Sequence, residues 1–133
     1  MDLGAYKSPG KKHSFDFIFE GQIRFGPDYF KIQLDSNLIT DRLFGFEFKW
    51  DAESKYLALQ EWLTTDYRKG PTTALTIIDL ENGKIARVKT VEKAFIIPLE
   101  FVGDVIKYEI DQLSIDKKQK FQISLKKVKN WEG

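Results

Sequence analysis

The chain of 133 residues contains no cysteine, one histidine, one methionine and four prolines. Without thiols it cannot form disulfide bonds, thiolate nucleophiles or zinc–thiolate sites. The single histidine, His13, follows Lys11 and Lys12 in a polar N-terminal segment. A catalytic group needs rigid positioning, which such a segment does not provide. We therefore expect His13 to be a solvated residue without a catalytic role.

Sequence signals for cofactors, metals and membranes are also missing. Gly70-Pro71-Thr72-Thr73 lacks the lysine of a phosphate-binding loop, and no Asp-rich segment has calcium-loop spacing. No apolar run approaches the roughly 18 residues that span a bilayer. The start at Met1 lacks the basic and apolar segments of a signal peptide. These absences predict a soluble, cytoplasmic protein that needs no cofactor or metal and does not bind membranes.

Aromatic residues are abundant: they make up 14% of the chain, and 11 of them are phenylalanine. Such side chains favour strands and bury large areas. Hydrophobic residues reach 42%, which is enough for one core, and the length suits one domain. Residues 1–13 combine Gly, Ser, Pro and Lys, which predicts a flexible tail. The domain is therefore expected over residues 14–133.

Alternating apolar residues predict short strands throughout the domain. Phe15, Phe17 and Phe19 share one face of the first strand. After them, either Glu20-Gly21 turns the chain into a further short strand, or the same strand continues past a bulge at Gly21. Turn signals recur at intervals of roughly 8–12 residues, which gives about nine or ten strands. Because no long helical crossover is predicted, the strands should pair mainly antiparallel. The predicted fold is all-β, a single-domain antiparallel sandwich or distorted barrel of sequential hairpins.

The segment Phe46–Trp62 resembles the turn-and-strand core of a β-propeller blade. A propeller needs at least about four blades of four strands, so this chain is too short to close one. A helix over residues 52–64 is the alternative, because Asp51 can cap a helix and the apolar spacing that follows fits one. We favour a strand, because the short turn at 51–54 lies between two aromatic-rich runs. Such a strand is apolar on both faces, with Tyr56, Ala58 and Trp62 on one and Leu57, Leu59 and Leu63 on the other.

Asn82-Gly83 is the clearest hairpin signal in the chain. It predicts a two-residue type I′ turn with positive φ at both positions, between strands that flank it over residues 75–90.

Lysines concentrate near the C-terminus, at positions 117, 118, 120, 126, 127 and 129. With Phe121 and Trp131 they have the composition of a nucleic-acid surface, in which lysines contact phosphates and aromatic rings stack on bases. Lysines also protect an exposed edge strand against sheet-to-sheet aggregation. Phe121, Ile123 and Leu125 alternate as core residues do, which favours edge protection, so nucleic-acid binding is not expected.

Carboxylates surround the blade-like segment, at Glu47, Asp51, Glu53, Glu61 and Asp66. Two carboxylates about 5–9 Å apart can cleave a glycoside. Among 20 acidic residues, however, chance pairs are expected. The sequence therefore predicts no catalytic residue, and we expect a protein that is not an enzyme.

The longest polar stretch, residues 64–73, begins just after Trp62. Functional residues concentrate on loops, and protein interfaces favour Tyr, Trp and Arg. This loop carries Asp66, Tyr67 and Arg68 in adjacent positions. Trp62, Asp66, Tyr67 and Arg68 are therefore the predicted partner-binding residues.

Two segments, 21–31 and 54–63, are similar to those of small all-β immunity proteins of bacteria, which neutralise toxins of contact-dependent or polymorphic toxin systems. The first reads Gly-Gln-Ile-Arg-Phe-Gly-Pro, then Tyr29-Phe30-Lys31, and the second Ser-Lys-Tyr-Leu-Ala-Leu-Gln-Glu-Trp-Leu. The resemblance implies a cytoplasmic protein that binds and inhibits one cognate toxin domain. It assigns no contact residues, because these differ between toxin–inhibitor pairs.

Two other functions remain open at this point. One is a nucleic-acid-binding β-barrel that uses the C-terminal lysines. The other is a carrier whose phenylalanine-lined interior holds a small apolar ligand.

Overall fold

A computed structural model describes residues 5–23, 26–66, 68, 70–112 and 115–133, and this part of the chain contains ten β-strands. Short 3-10 turns include Pro9–Lys11 and Leu125–Lys127. The strands are β1 (Ala5–Lys7), β2 (Ser14–Gln22), β3 (Asp28–Leu34), β4 (Asn37–Trp50), β5 (Tyr56–Trp62), β6 (Thr72–Asp79), β7 (Lys84–Glu92), β8 (Phe95–Val102), β9 (Val105–Gln112) and β10 (Lys117–Ser124). In the described part of the chain, no helix is long and apolar enough to cross a membrane.

The strands form two antiparallel sheets in which spatial order follows chain order. The large sheet runs from β1 to β7, and the small sheet contains β8, β9 and β10. Strand β8 packs across β4, β5 and β6, so the small sheet covers part of the large one. The all-β fold of sequential hairpins predicted from the sequence is confirmed, and its form is a sandwich-like pair of open sheets rather than a closed barrel.

Strand β5 lies at the centre of the fold and is buried on both faces, as the strand interpretation of 52–64 predicts. Leu57 and Leu59 enter one core, whereas Ala58 and the partly buried Tyr56 enter the other. A helix here would have placed Tyr56 and Leu59 on one face, whereas in the structure they enter different cores. Two apolar faces are typical of a strand with layers on both sides.

The first core is rich in aromatic rings and is enclosed by the large sheet. Its buried members come from five strands: Phe15, Phe17, Phe30, Ile32, Phe44, Leu57, Leu59 and Ile78. The rings of Phe15 and Phe17 meet edge to face at 5.0 Å between centroids, a favourable geometry for aromatic pairs. The second core lies between the sheets and contains Ala58, Leu75, Ile77, Ile96, Ile106, Tyr108 and Leu125.

The N-terminal segment differs from the flexible tail predicted for residues 1–13. Strand β1 pairs with β2, and the ring of Tyr6 packs between Phe15 and Phe48 at centroid distances of 5.4 and 5.0 Å. Ser54 Oγ donates a hydrogen bond to the carbonyl of Pro9, which ties the segment to the turn before β5. Residues 5–13 are therefore part of the folded domain, because one aromatic ring anchors an otherwise polar segment.

The predicted type I′ turn at Asn82-Gly83 is wrong in its length. The flanking strands end with the pair Asp79↔Lys84, so the loop has four residues, and only Gly83 within it has a positive φ, 65°. The Asp79 carboxylate accepts hydrogen bonds from the backbone N–H groups of Glu81 and Asn82. These bonds hold the longer loop. The strands over 75–90 are confirmed.

A two-residue turn with positive φ at both positions occurs instead at Asp35-Ser36, between β3 and β4. The φ angles are 46° and 70°, which non-glycine residues seldom adopt. The Asp35 carboxylate accepts a hydrogen bond from Ser14 N, and Asp35 N donates to Ser14 O. Contacts with the start of β2 thus hold a turn that the local sequence does not favour strongly.

Candidate binding groove

A bulge in β4 shapes an open groove beside β5. Between the registered pairs Phe44↔Glu61 and Phe48↔Leu59, residues 45–47 lie opposite the single residue Gln60. Extra residues bend a strand and interrupt its ladder. A Cβ atom at Gly45 would lie 2.0 Å from Gln60 Oε1 and 2.7 Å from Trp62 Nε1. A side chain at position 45 would therefore have to displace the ends of these two β5 side chains, which occupy the space beside the bulge.

The groove has a volume of about 700 Å³ and opens to solvent. Its lining is mainly apolar: Pro27, Asp28, Phe30, Gly45, Phe46, Glu47, Gln60, Trp62, Phe95 and Ile97. Phe30 and Trp62 are buried, and the Trp62 ring meets Phe95 edge to face at 5.4 Å. Gln60 Nε2 donates to the carbonyl of Ile96 at 3.0 Å, which links β5 to the small sheet. The groove is thus built where the two sheets meet.

Among the predicted partner-binding residues that the structure describes, Trp62 lines this groove, whereas Asp66 and Arg68 do not. Its side chain is only 3% exposed, so it cannot act as a surface anchor of the loop that follows. Its indole N–H is buried and has no hydrogen-bond partner in the described part of the chain, as is also true of Trp50. An unpaired buried donor costs about 1–3 kcal/mol.

Two exposed phenylalanines, Phe19 and Phe46, lie beside the groove and form what we call the aromatic rim. Their side chains are 61% and 46% exposed, although both lie next to the buried Phe30, at 6.3 and 5.9 Å between ring centroids. Phe46 also stacks on Phe17 at 4.8 Å. The first core is therefore continuous with solvent-exposed aromatic surface at this end of the sheet.

Two carboxylates, Asp28 and Glu47, line the same groove. Neither forms an ion pair with a residue that the structure describes, whereas the nearby Glu20 lies 3.6 Å from Lys31 Nζ. The surface around the rim is therefore apolar at its centre and negative at its edge.

In the loop predicted to bind a partner, Asp66 and Arg68 contact each other. Asp66 accepts hydrogen bonds from Arg68 N and Nε at 3.1 and 3.0 Å, and this interaction raises the pKa of the Arg68 guanidinium. Arg68 is 90% exposed, so it is accessible at the surface. Tyr67 lies outside the described residues. The structure therefore places Trp62 in the groove and Asp66 and Arg68 together on the loop that follows.

Glu61 belongs to a buried charge cluster. It lies on the same face of β5 as Leu57 and Leu59. It is 1% exposed and accepts hydrogen bonds from Arg87 Nη2 at 2.6 Å, Thr76 Oγ1 at 2.7 Å and Arg42 Nη1 at 2.8 Å. Burial alone would raise the pKa of Glu61, but the hydrogen bonds from Arg87 and Thr76 and the charge of Arg42 outweigh it and lower the pKa. Glu61 is thus held as a carboxylate and paired, as structural ion clusters are.

The other candidate carboxylates have separate environments. Asp51 accepts hydrogen bonds from the backbone N–H groups of Lys55 and Tyr56 and shapes the turn before β5. Glu53 lies 3.0 Å from Lys55 Nζ in the same turn, and Glu47 lines the groove. Glu61 and Asp66 have the partners given above. Asp51 and Glu53 both contact Lys55, one at its backbone N–H and the other at Nζ, but no described hydrogen bond joins two of the five carboxylates directly.

The expectation that His13 is solvated is wrong. Its Nδ1 lies 2.7 Å from Asp35 Oδ2, and its side chain is 22% exposed. The N-terminal segment brings it there, because β1 and the 3-10 turn lie against the domain.

Edge protection by lysines agrees with the position of β10 at one edge of the small sheet. Lys117, Lys118 and Lys120 lie on this strand and are exposed. Phe121 is 41% exposed rather than buried, and it stacks on Tyr108 at 5.7 Å. The predicted burial of Phe121 is wrong, because on an edge strand one neighbour is missing.

The chain matches no protein-family model, no curated protein and no solved structure. Three features of the described residues form the candidate site: the groove, the aromatic rim, and the carboxylates of Asp28 and Glu47, which have no described ion-pair partner. Sequence reasoning missed the groove, although Gly45 inside an alternating Leu-Phe-Gly-Phe-Glu-Phe run is a signal for a bulge.

Proposed function

We propose that this protein is a non-catalytic binding module whose partner is another protein, held at the aromatic rim and the adjoining groove. The observation that carries the proposal is the exposure of Phe19 and Phe46 beside an open apolar groove. Contiguous exposed apolar surface edged by polar groups is typical of interaction sites. Large aromatic side chains also dominate the energy of protein interfaces.

The charge around the rim supports a basic partner. Asp28 and Glu47 carry negative charge without a described ion-pair partner. A negative edge attracts a positive surface during encounter and fixes its orientation. This attraction weakens as salt screens it.

The resemblance to immunity proteins extends the proposal to the identity of the partner. On that basis the partner is a cognate toxin domain, bound and neutralised in the bacterial cytoplasm. A basic toxin, such as a nuclease, suits the acidic edge of the rim. The loop with Asp66 and Arg68 follows Trp62 directly and would extend the contact beyond the groove.

A search of the neighbouring genes for a toxin domain, followed by co-expression with that domain, tests the proposal. The wild-type protein should co-purify with that domain and protect cells from it. Changing Phe19 and Phe46 together to Ser should weaken binding at least about tenfold, since each removes an exposed aromatic contact. Phe121→Ser is the matched control, because Phe121 is also an exposed phenylalanine but lies on β10. Arg68→Ala reports separately on the loop.

The proposal fails if the wild-type protein captures nucleic acid or a small molecule but not the toxin domain. It also fails if the rim variant binds as tightly as the Phe121→Ser control.

The groove favours a second candidate function, a carrier of a small apolar ligand. Its volume of about 700 Å³ lies within the range of small-molecule sites. Mass spectrometry of the purified protein under native conditions tests this function. A bound apolar molecule that is lost in a variant with a blocked groove would support the carrier function.

A further inference from the structure

The groove and the rim differ in what they offer to a partner. The rim presents two rings to solvent, whereas the groove has a floor of buried side chains and walls from both sheets. Interfaces gain most of their energy where a side chain enters such a desolvated pocket, and less from the contacts around it. The groove is therefore the place where a partner would be anchored.

The lining of the groove specifies the chemistry of that anchor. Phe30, Phe46, Phe95 and Ile97 offer apolar contact, and the groove volume of about 700 Å³ has room for another ring or a branched aliphatic group. Asp28 and Glu47 add two negative charges to the same lining. A ligand group that is apolar and close to a positive charge satisfies both features, and an anionic group is repelled.

We propose, on the basis of the function above, that the groove takes one large apolar side chain of the partner, with an adjacent lysine or arginine of that partner beside Asp28 and Glu47. Gly45 sets the depth of this pocket. Any side chain at position 45 would push Gln60 and Trp62 from their places, because their polar ends lie within 2.7 Å of the missing Cβ.

Two small probes test the pocket without the partner. 2-Phenylethylamine and phenylacetate carry the same ring with opposite charges. Both can be titrated into the full chain while the indole N–H signal of Trp62 is followed by NMR, assigned with Trp62→Phe. We expect 2-phenylethylamine to bind in the millimolar range, as fragments of this size do. We expect phenylacetate to bind at least about threefold more weakly, since exposed charges contribute modestly.

Two variants and one control separate charge from shape. Asp28→Asn combined with Glu47→Gln should abolish the difference between the probes. Glu81→Gln is the matched control, because Glu81 is exposed at the tip of the β6–β7 hairpin and is absent from the lining. It should leave the difference unchanged. Gly45→Ala should weaken the binding of both probes about tenfold. If that variant does not fold, Phe46→Ala replaces it, because Phe46 is half-exposed, and it should weaken the binding of both probes by at least about threefold.

The inference is overturned if neither probe shifts the Trp62 signal, if both bind equally to the wild-type chain, or if only Trp50 or Trp131 responds. These outcomes are distinct from failure of the proposed function. A toxin domain that binds the wild-type and Gly45→Ala chains equally would refute the anchor while leaving protein binding intact. Probes that behave as expected, with no toxin domain captured, would refute protein binding while leaving the pocket chemistry intact.

Discussion

Arg87 on β7 donates a hydrogen bond of 2.6 Å to Glu61 on β5, across the intervening strand β6. Thr76 on that intervening strand donates to the same carboxylate, and Arg42 reaches it from β4. One buried carboxylate thus connects four consecutive strands through side chains as well as through the backbone ladder. Because Glu61 lies one residue from Gln60 and Trp62, this cluster also fixes the strand that forms the groove floor.

Replacing Glu61 with Ala should destabilise the protein by about 3–5 kcal/mol, because two arginines lose their buried counter-charge. Urea unfolding followed by tryptophan fluorescence measures this loss. Glu53→Ala is the matched control, since Glu53 is an exposed glutamate paired with Lys55. The control should unfold at the wild-type urea concentration, and equal midpoints for both variants would show that the cluster contributes nothing to stability.

Stability should fall in acid because of the same carboxylate. The pKa of Glu61 is lower in the folded protein than the ordinary value of 4.5. The pairing therefore stabilises the fold fully above that value, and its contribution is lost as pH falls below it. Urea midpoints measured from neutral pH to about pH 3 should drop less steeply for Glu61→Gln than for the wild type. Parallel curves for the two proteins would contradict this assignment.

His13→Ala should lower the free energy of unfolding by about 1 kcal/mol, the typical contribution of one hydrogen bond. The loss of the 2.7 Å contact leaves Asp35 less firmly held in its positive-φ turn. Lys12→Ala serves as the control, because Lys12 is the exposed neighbour of His13. The midpoints of denaturant unfolding are compared for the two variants. Identical midpoints would mean that the His13–Asp35 contact does not contribute to the free energy of unfolding.

Gly83→Val should cost about 1–2 kcal/mol, because a β-branched residue tolerates a φ of 65° poorly. No heavy atom lies within 4 Å of the position that a Cβ would take, so the cost comes from the backbone alone. Gly83→Asn should therefore cost much less, since asparagine adopts left-handed geometry more readily. Thermal unfolding compares the pair, and an equal loss in both variants would point to a packing cause instead.

The sequence predicts those parts of the fold that depend on local alternation. The alternation of Leu57 and Leu59 with Tyr56 and Ala58 predicted the strand that is apolar on both faces at the centre of the sheet. An irregularity near Gly21 was also predicted, and the structure has one there. Period-two patterns need no knowledge of distant contacts. This explains why the class of fold and most strands follow from the sequence.

Features that depend on distant or competing contacts were not predicted. Tyr6 is a single ring in a polar segment, and its packing partners lie on β2 and β4. The Asn82-Gly83 turn signal was overridden by the carboxylate of Asp79, three residues earlier. The groove depends on a mismatch in length between β4 and β5, and a sequence does not show which residues stand opposite each other. Gly45 is a sequence signal for the bulge that was not used, and it carries no signal for the cavity beside it.

The order of the strands also determines when each apolar face is covered during synthesis on the ribosome. Strands β1 to β7 pair with sequence neighbours, so their sheet can assemble before β8 has been made. The second core needs both sheets. Until β8, β9 and β10 have been made, its residues on β5 and β6 are not covered by the small sheet; these are Ala58, Leu75 and Ile77. Nascent chains that stop near residue 92 would expose this face to solvent and to one another. The small sheet thus acts, within the same chain, as the cap that protects the larger sheet from aggregation.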